Sequence, residues 1–210
     1  MALCCRQLAA HGLIAGRDGN LSVRLGPDRV LVTPSGFIKS LVKPTDMVEV
    51  DLAGVPRRRT SRKPTSELEL HLRILRHRQD VNAVVHAHPP TATGFAVAGE
   101  AIPGNFLPEL IFVVGPVPLV PFGMPGTPEL GDRIVPYIED HRHSALLLAN
   151  HGAVTMGRML DEAWIRMESL EHAARIIAVA RAIGDPKPLS AAAVERLELL
   201  RAQELRERDA

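Results

Sequence analysis

The 210-residue sequence predicts a layered α/β domain whose sheet is at least partly antiparallel. Short β-rich runs are dispersed among helical ones along the whole chain rather than gathered in one half. Several of these runs are separated only by Gly-, Pro- or Asp-containing turns, the spacing of hairpins. Hydrophobic residues make up 46% and charged residues 23%, enough apolar surface for a real core.

Each element has its own signal. Within MALCCRQLAAHGLIAG, Leu3, Ala10 and Ile14, with Cys4 and Leu8 beside them, suit an amphipathic helix. Arg6, Gln7 and His11 interrupt the apolar run and no basic region precedes it, so a signal peptide is not expected. GRDGNLSVRLGPDRVLVTPSG reads as turn, strand, turn, strand, turn, and MVEVDL as a third short strand. AGVPRRRTSRK is a basic loop, read as solvated surface, and Thr65-Ser66 supply N-cap hydroxyls for the helix SELELHLRILRHR. VNAVVHAH is too apolar and β-branched for anything but a strand. IFVVGPVPLVPFG predicts two short strands around a Gly-Pro turn, and PELGDRIVPYIEDH a helix. SALLLANHGAVTMG reads as strand, sharp turn, strand, and residues 160–183 as one long helix. GDPKP breaks that helix, leaving a domain over 1–184 and a linker with a charged helical tail over 185–210.

Composition excludes several functions. Basic and acidic residues number 25 and 24, a net charge of +1, so an electrostatic nucleic-acid binder is not expected. One Trp, one Tyr and five Phe leave little for stacking on single strands, while histidines number nine. The only two cysteines, Cys4 and Cys5, are adjacent and suggest no disulfide framework. No stretch approaches the roughly 18 apolar residues of a membrane span. The expectation is a cytoplasmic protein.

His86-Ala87-His88 ends the VNAVVHAH strand. Residues i and i+2 of a strand project from one face, so two imidazoles are placed to grip one cation. The alternative for an isolated pair is two partly exposed histidines bonded to water or loop carbonyls. His151, in Asn150-His151-Gly152, ends the apolar run ALLLA, where a buried imidazole needs a hydrogen bond or a metal. His86, His88 and His151 together would leave a fourth coordination position open, the pattern of a catalytic zinc site. Glu67 at the helix start is either a first-turn carboxylate favoured by the helix dipole or a general base beside the metal. Gly19-Asn20, Ser35-Gly36 and Thr65-Ser66 are donor-rich turns; together with a metal site they suggest phosphate held at one end and chemistry at the other.

These residues carry a family resemblance. GRDGNLSVR (16–24), TPSG (33–36), KPTSELELH (63–71), DVNAVVHAHP (80–89), PFGMPGTPEL (121–130) and LLLANHGAVTMG (146–157) occur in the order found in the class II aldolase/adducin family. The chain resembles that family, whose members include zinc-dependent fuculose-phosphate aldolase and ribulose-phosphate 4-epimerase, over about residues 3–180. The resemblance implies a three-layer α/β/α domain around a central, largely antiparallel sheet, commonly assembled as a homotetramer. It implies Zn²⁺ on His86, His88 and His151, with Mn²⁺ or Co²⁺ as other candidates. Glu67 falls on the catalytic acid/base, which can also bind the metal when substrate is absent. Gly19, Asn20, Ser35, Gly36, Thr65 and Ser66 fall on the phosphate-binding turns.

The implied reaction is reversible carbon–carbon cleavage of a small ketose phosphate to dihydroxyacetone phosphate and an aldehyde. The single tyrosine, Tyr137, matches neither of the tyrosines that fuculose-phosphate aldolase uses. Glu109 instead matches the catalytic Glu of methylthioribulose-phosphate dehydratases, a second candidate acid/base, so dehydration, decarboxylation or epimerisation on the same metal site is the alternative. A non-catalytic adducin-like assembly domain needs no such ligands, and the intact histidine set counts against it.

Other features read more plainly. His141-Arg142-His143 lies at a helix end, where basic groups answer the dipole. Glu168-x-x-Glu171-His172 has no second copy and reads as a solvated or interface helix face. His71, one turn after Glu67, either orients it or makes a helix-surface pair.

Overall fold

A computed structural model describes residues 1–59 and 61–209, without the side chains of Arg208 and Asp209. Thr60 of the expected basic loop lies outside the described residues. The elements are α1 (Ala2–Ala10), β1 (Asn20–Gly26), β2 (Arg29–Val32), β3 (Val48–Val50), α2 (Leu68–His77), β4 (Ala83–Ala87), α3 (Pro90–Val97), β5 (Leu119–Val120), α4 (Pro128–Ile138), β6 (Ala145–Leu148), β7 (Gly152–Gly157), α5 (Leu160–Ile183) and α6 (Ala191–Asp209). One seven-stranded sheet has the order β3-β2-β1-β4-β7-β6-β5. Every neighbouring pair is antiparallel except β5 with β6.

The sheet is the middle of three layers because its central strands are apolar on both faces. In β4, Ala83, Val85 and Ala87 enter one core with α1, α3 and α5; Val84 enters the other with α2 and α4. In β6, Ala145 and Leu147 go one way, Leu146 and Leu148 the other. The expected strands LSVRL, RVLVT, MVEVDL and VNAVVHAH are present, as are both strands of the SALLLANHGAVTMG segment.

Helix α2 begins at Leu68, slightly later than the Thr65-Ser66 hydroxyls suggested; the Thr65 hydroxyl accepts the Glu67 N–H at 3.3 Å. The run Ile111–Val114, expected as a strand, instead lies in one π-helical turn, Leu110–Val114. β-branched side chains favour extended backbone locally, but tertiary partners decide otherwise here. Leu110 and Val114 are buried in the α5-side core, and Arg166 and Arg201 donate to the Val113 and Val114 carbonyls at 3.2 and 3.1 Å. Arg201 thereby ties α6 to this turn, and it also donates to Ser144 Oγ at 2.9 Å.

Helix α3, not expected from local pattern, starts at Pro90, where a missing N–H is tolerated. Its next two N–H groups, Thr91 and Ala92, donate to the Glu171 carboxylate at 2.9–3.1 Å. Glu171 is therefore not part of a solvated helix face; it is a buried cap reaching from α5. His143 behaves as expected, its Nδ1 donating to Tyr137 O at 2.8 Å near the end of α4. Cys4 and Cys5 are free and buried, and burial pushes their thiols up to about 12 and 11. Among the described residues, no helix is long and apolar enough to cross a membrane.

Candidate metal centre

Sheet register assembles the site. β1 pairs with β4 so that Asn20 stands opposite His86, and β4 pairs with β7 so that His86 faces Val154. His88 follows β4 by one residue and donates its backbone N–H to Leu13 O at 3.1 Å. His151 lies in the turn joining β6 to β7. There Asn150 takes φ 56°, the only positive φ of a non-glycine residue among the described residues. This left-handed step suits Asn, and it delivers His151 beside the other two rings. Gly152 permits the approach: a Cβ on it would lie 2.6 Å from both Ala87 O and His88 Cδ2.

The three imidazoles offer ring nitrogens that all lie within 4.8 Å of one another, and their ring centroids are 4.7–5.1 Å apart. His86 Nδ1 donates to Ala153 O at 2.9 Å, which fixes the tautomer and leaves its Nε2 as a lone pair. That Nε2 lies 3.2 Å from His88 Nε2. Two such nitrogens facing each other require a shared proton or cation. Burial first, then the neighbouring His86 and His151 rings, lower the His88 pKa to about 4, so its ring is neutral at pH 7, as a ligand must be. The donor set therefore fits a divalent metal.

Glu67 closes the site. Its Oε2 lies 3.2 Å from His86 Nε2 and its Oε1 3.2 Å from His151 Nε2. Oε2 also accepts from Asn20 Nδ2 at 2.8 Å, whereas Oε1 has no well-aligned donor. Burial pushes the carboxyl up, but the neighbouring His86 and His151 rings and the Asn20 amide outweigh it. The net result is a carboxylate held well below its usual range.

Behind Asn20 runs a buried chain. His71 is fully buried and held neutral, its pKa lowered to about 3 by burial and then by the neighbouring His86. A neutral ring donates from Nε2 to Asn20 Oδ1 and accepts at Nδ1 from the Ser22 hydroxyl at 2.7 Å. Ser22→His71→Asn20→Glu67 is then one directional series of donors. Of the two readings of His71, the buried orienting one is what the fold contains. Ser22 was not singled out in the sequence, because only the β1–α2 packing brings it to His71.

The three expected turns lie side by side at this end of the sheet. Thr65 N–H donates to Thr33 O at 3.0 Å, Ser35 N–H to Lys63 O at 2.9 Å, and Leu21 N–H to Thr33 Oγ1 at 3.1 Å. Gly19 has φ +72°, and a Cβ there would lie 2.6 Å from Ile14 Cγ2 and 3.0 Å from His86 O. Gly19-Asn20 and Thr65-Ser66 thus border His86 and Glu67, with Ser35-Gly36 beside Lys63 next to the Thr65 turn. Glu109 is exposed just before the Leu110–Val114 turn and makes no hydrogen bond or ion pair among the described residues.

The family described as class II aldolase and adducin N-terminal domain matches residues 1–178. The L-fuculose phosphate aldolase of Methanococcus maripaludis is 34% identical over 172 residues, covering 82% of this chain and 91% of that protein. The 5-methylthioribulose-1-phosphate/5-deoxyribulose-1-phosphate aldolase of Rhodospirillum rubrum is 36% identical over 192 residues, covering 91% and 85%. A solved L-fuculose 1-phosphate aldolase superposes with a TM-score of 0.85 at 31% identity, covering 94% of this chain and 92% of that one.

Proposed function

The chain belongs to the class II aldolase and adducin N-terminal domain family, and we propose that it is a metal-dependent aldolase acting on a small ketose phosphate. The reaction is reversible cleavage to dihydroxyacetone phosphate and an aldehyde. The observation that carries this reading is the convergence of three neutral-capable imidazoles on one carboxylate whose second oxygen is uncommitted. A non-catalytic assembly domain has no use for that arrangement.

His86, His88 and His151 would hold the cation, Zn²⁺ first, with Mn²⁺ or Co²⁺ accepted by the same ligands. When bound, the cation supplies Lewis-acid stabilisation of the negative charge that develops as the carbon–carbon bond breaks. Glu67 moves the proton. In the synthetic direction its Oε1 takes a proton from the carbon beside the carbonyl of dihydroxyacetone phosphate; in cleavage it returns that proton. Asn20 holds Oε2, so the carboxylate presents one oxygen in one orientation. The turns Gly19-Asn20, Ser35-Gly36 and Thr65-Ser66 hold the phosphate with backbone and hydroxyl donors.

Assembly as a homotetramer belongs to the same reading. It is supported by Ile165, Ile176, Val179 and Ile183, which leave an exposed apolar stripe along α5. The free thiols suit a reducing, cytoplasmic setting. The relatives' substrates supply the test. Purified protein is incubated with L-fuculose 1-phosphate or 5-deoxyribulose 1-phosphate, and dihydroxyacetone phosphate release is followed with and without chelator. Chelator-sensitive release supports the reading. Full activity with stoichiometric metal in a His86→Ala/His88→Ala variant would sink it.

A further inference from the structure

Lys39 lies three residues after Gly36, with its side chain only 3% exposed. Its ammonium donates to Arg17 O at 2.8 Å and to Phe37 O at 3.3 Å, and its backbone N–H donates to Gly16 O at 3.0 Å. Arg17 precedes Gly19 by two residues and Phe37 directly follows Gly36. One side chain therefore fastens the Gly19-Asn20 turn to the Ser35-Gly36 turn.

Its charge has no direct counterpart. Among the described residues, no carboxylate comes within 4.0 Å of the ammonium. Asp18 and Glu67 act on it only through space, and the nearby Cys5 thiol is neutral at pH 7, burial having pushed it up to about 11. A buried ammonium satisfied by carbonyl dipoles alone is an unfavourable arrangement unless an anion completes it.

We propose that Lys39 is a positioning residue for the substrate phosphate, holding the two turns in register and supplying the buried positive charge beneath the dianion. This rests on the reading of those turns as the phosphate site. It assigns them a cationic component that their glycines, hydroxyls and amides lack.

The experiment compares wild type with Lys39→Met, which keeps the stem and removes both charge and donors. Inorganic phosphate is titrated calorimetrically into the metal-loaded protein. KM and kcat are measured for 5-deoxyribulose 1-phosphate and for the unphosphorylated sugar. The expected result is phosphate affinity weakened and KM for the ketose phosphate raised by roughly ten- to a hundredfold. Expected alongside are kcat within about threefold, unchanged metal content and unchanged turnover of the unphosphorylated sugar. Lys39→Arg, which restores the charge, is expected to recover part of the loss; Lys39→Gln replaces the methionine variant if that one does not fold. Unaltered phosphate affinity and KM in a folded, metal-loaded variant overturn the assignment, as does an equal loss on both substrates. A wild type that neither binds phosphate nor prefers the phosphorylated sugar overturns the phosphate site itself, and Lys39 with it.

Discussion

Gly152→Ala tests how tightly the backbone holds the imidazoles. The glycine's φ lies outside the left-handed region, so alanine brings no backbone penalty of its own. The added methyl would sit 2.6 Å from Ala87 O and 2.6 Å from His88 Cδ2, against an ordinary contact distance of at least 3.4 Å. Relief requires a movement of about 0.8 Å. One obstacle is backbone in β4, paired to β7 through Ala87 and Ala153; the other is the His88 ring. Overpacking of this kind costs about 1–3 kcal/mol. For a domain of this size that lowers Tm by a few degrees to about 10 °C. Displacing His88 by a comparable distance should weaken metal binding by roughly ten- to a hundredfold. Thermal melts of the metal-free protein read the first effect, and metal-buffered titration reads the second. A variant with wild-type Tm and wild-type metal affinity would refute the claim that Gly152 sets the approach of His88.

Further expectations concern single side chains. His86→Ala should lose metal and activity together, read by elemental analysis and by dihydroxyacetone phosphate release, because His86 is the histidine of the cluster whose tautomer the backbone fixes at Ala153. Asn20→Ala should remove a hydrogen bond to the Glu67 carboxylate and strand the His71 Nε2–H, destabilising the protein by about 2–5 kcal/mol in urea melts. The pH dependence follows from His71, whose folded pKa of about 3 lies below its ordinary 6.5. The unfolded chain binds the extra proton between these values, so this contribution is fully present above pH 6.5 and fades as pH falls toward 3. Its ceiling is on the order of 4–5 kcal/mol. Urea melts of metal-free protein at pH 7.5, 6 and 5 should show the decline, with a shallower slope in His71→Gln. Glu109→Gln should leave aldolase turnover within about fivefold, whereas a dehydratase relying on Glu109 would lose about 10²-fold or more.

The cluster His86, His88 and His151 was legible because its signals are local. Strand alternation puts His86 and His88 on one side, and an Asn-His-Gly sequence after a buried strand announces a sharp turn. Glu67 was legible as a carboxylate at a helix start. The chain Ser22–His71–Asn20–Glu67 was not legible as a unit, because it depends on the β1–β4 register and on how α2 lies across β1. Lys39 gave no signal for the same reason: its partners are carbonyls, which carry no side-chain signature. Where local propensity misled, a tertiary partner had taken over. Leu110–Val114 is extended by composition but helical by packing and by Arg166 and Arg201, and α3 begins where Glu171 reaches in from α5.

The central claim is that Glu67, beside a metal held by three histidines, moves the proton next to the substrate carbonyl. Dihydroxyacetone phosphate incubated in D₂O with metal-loaded protein and no aldehyde tests it, followed by proton NMR. Wild type should exchange one of the two protons on the carbinol carbon, and Glu67→Gln, with its metal still bound, should slow that exchange by roughly 10²–10⁴-fold. Exchange at the wild-type rate in metal-loaded Glu67→Gln would contradict it.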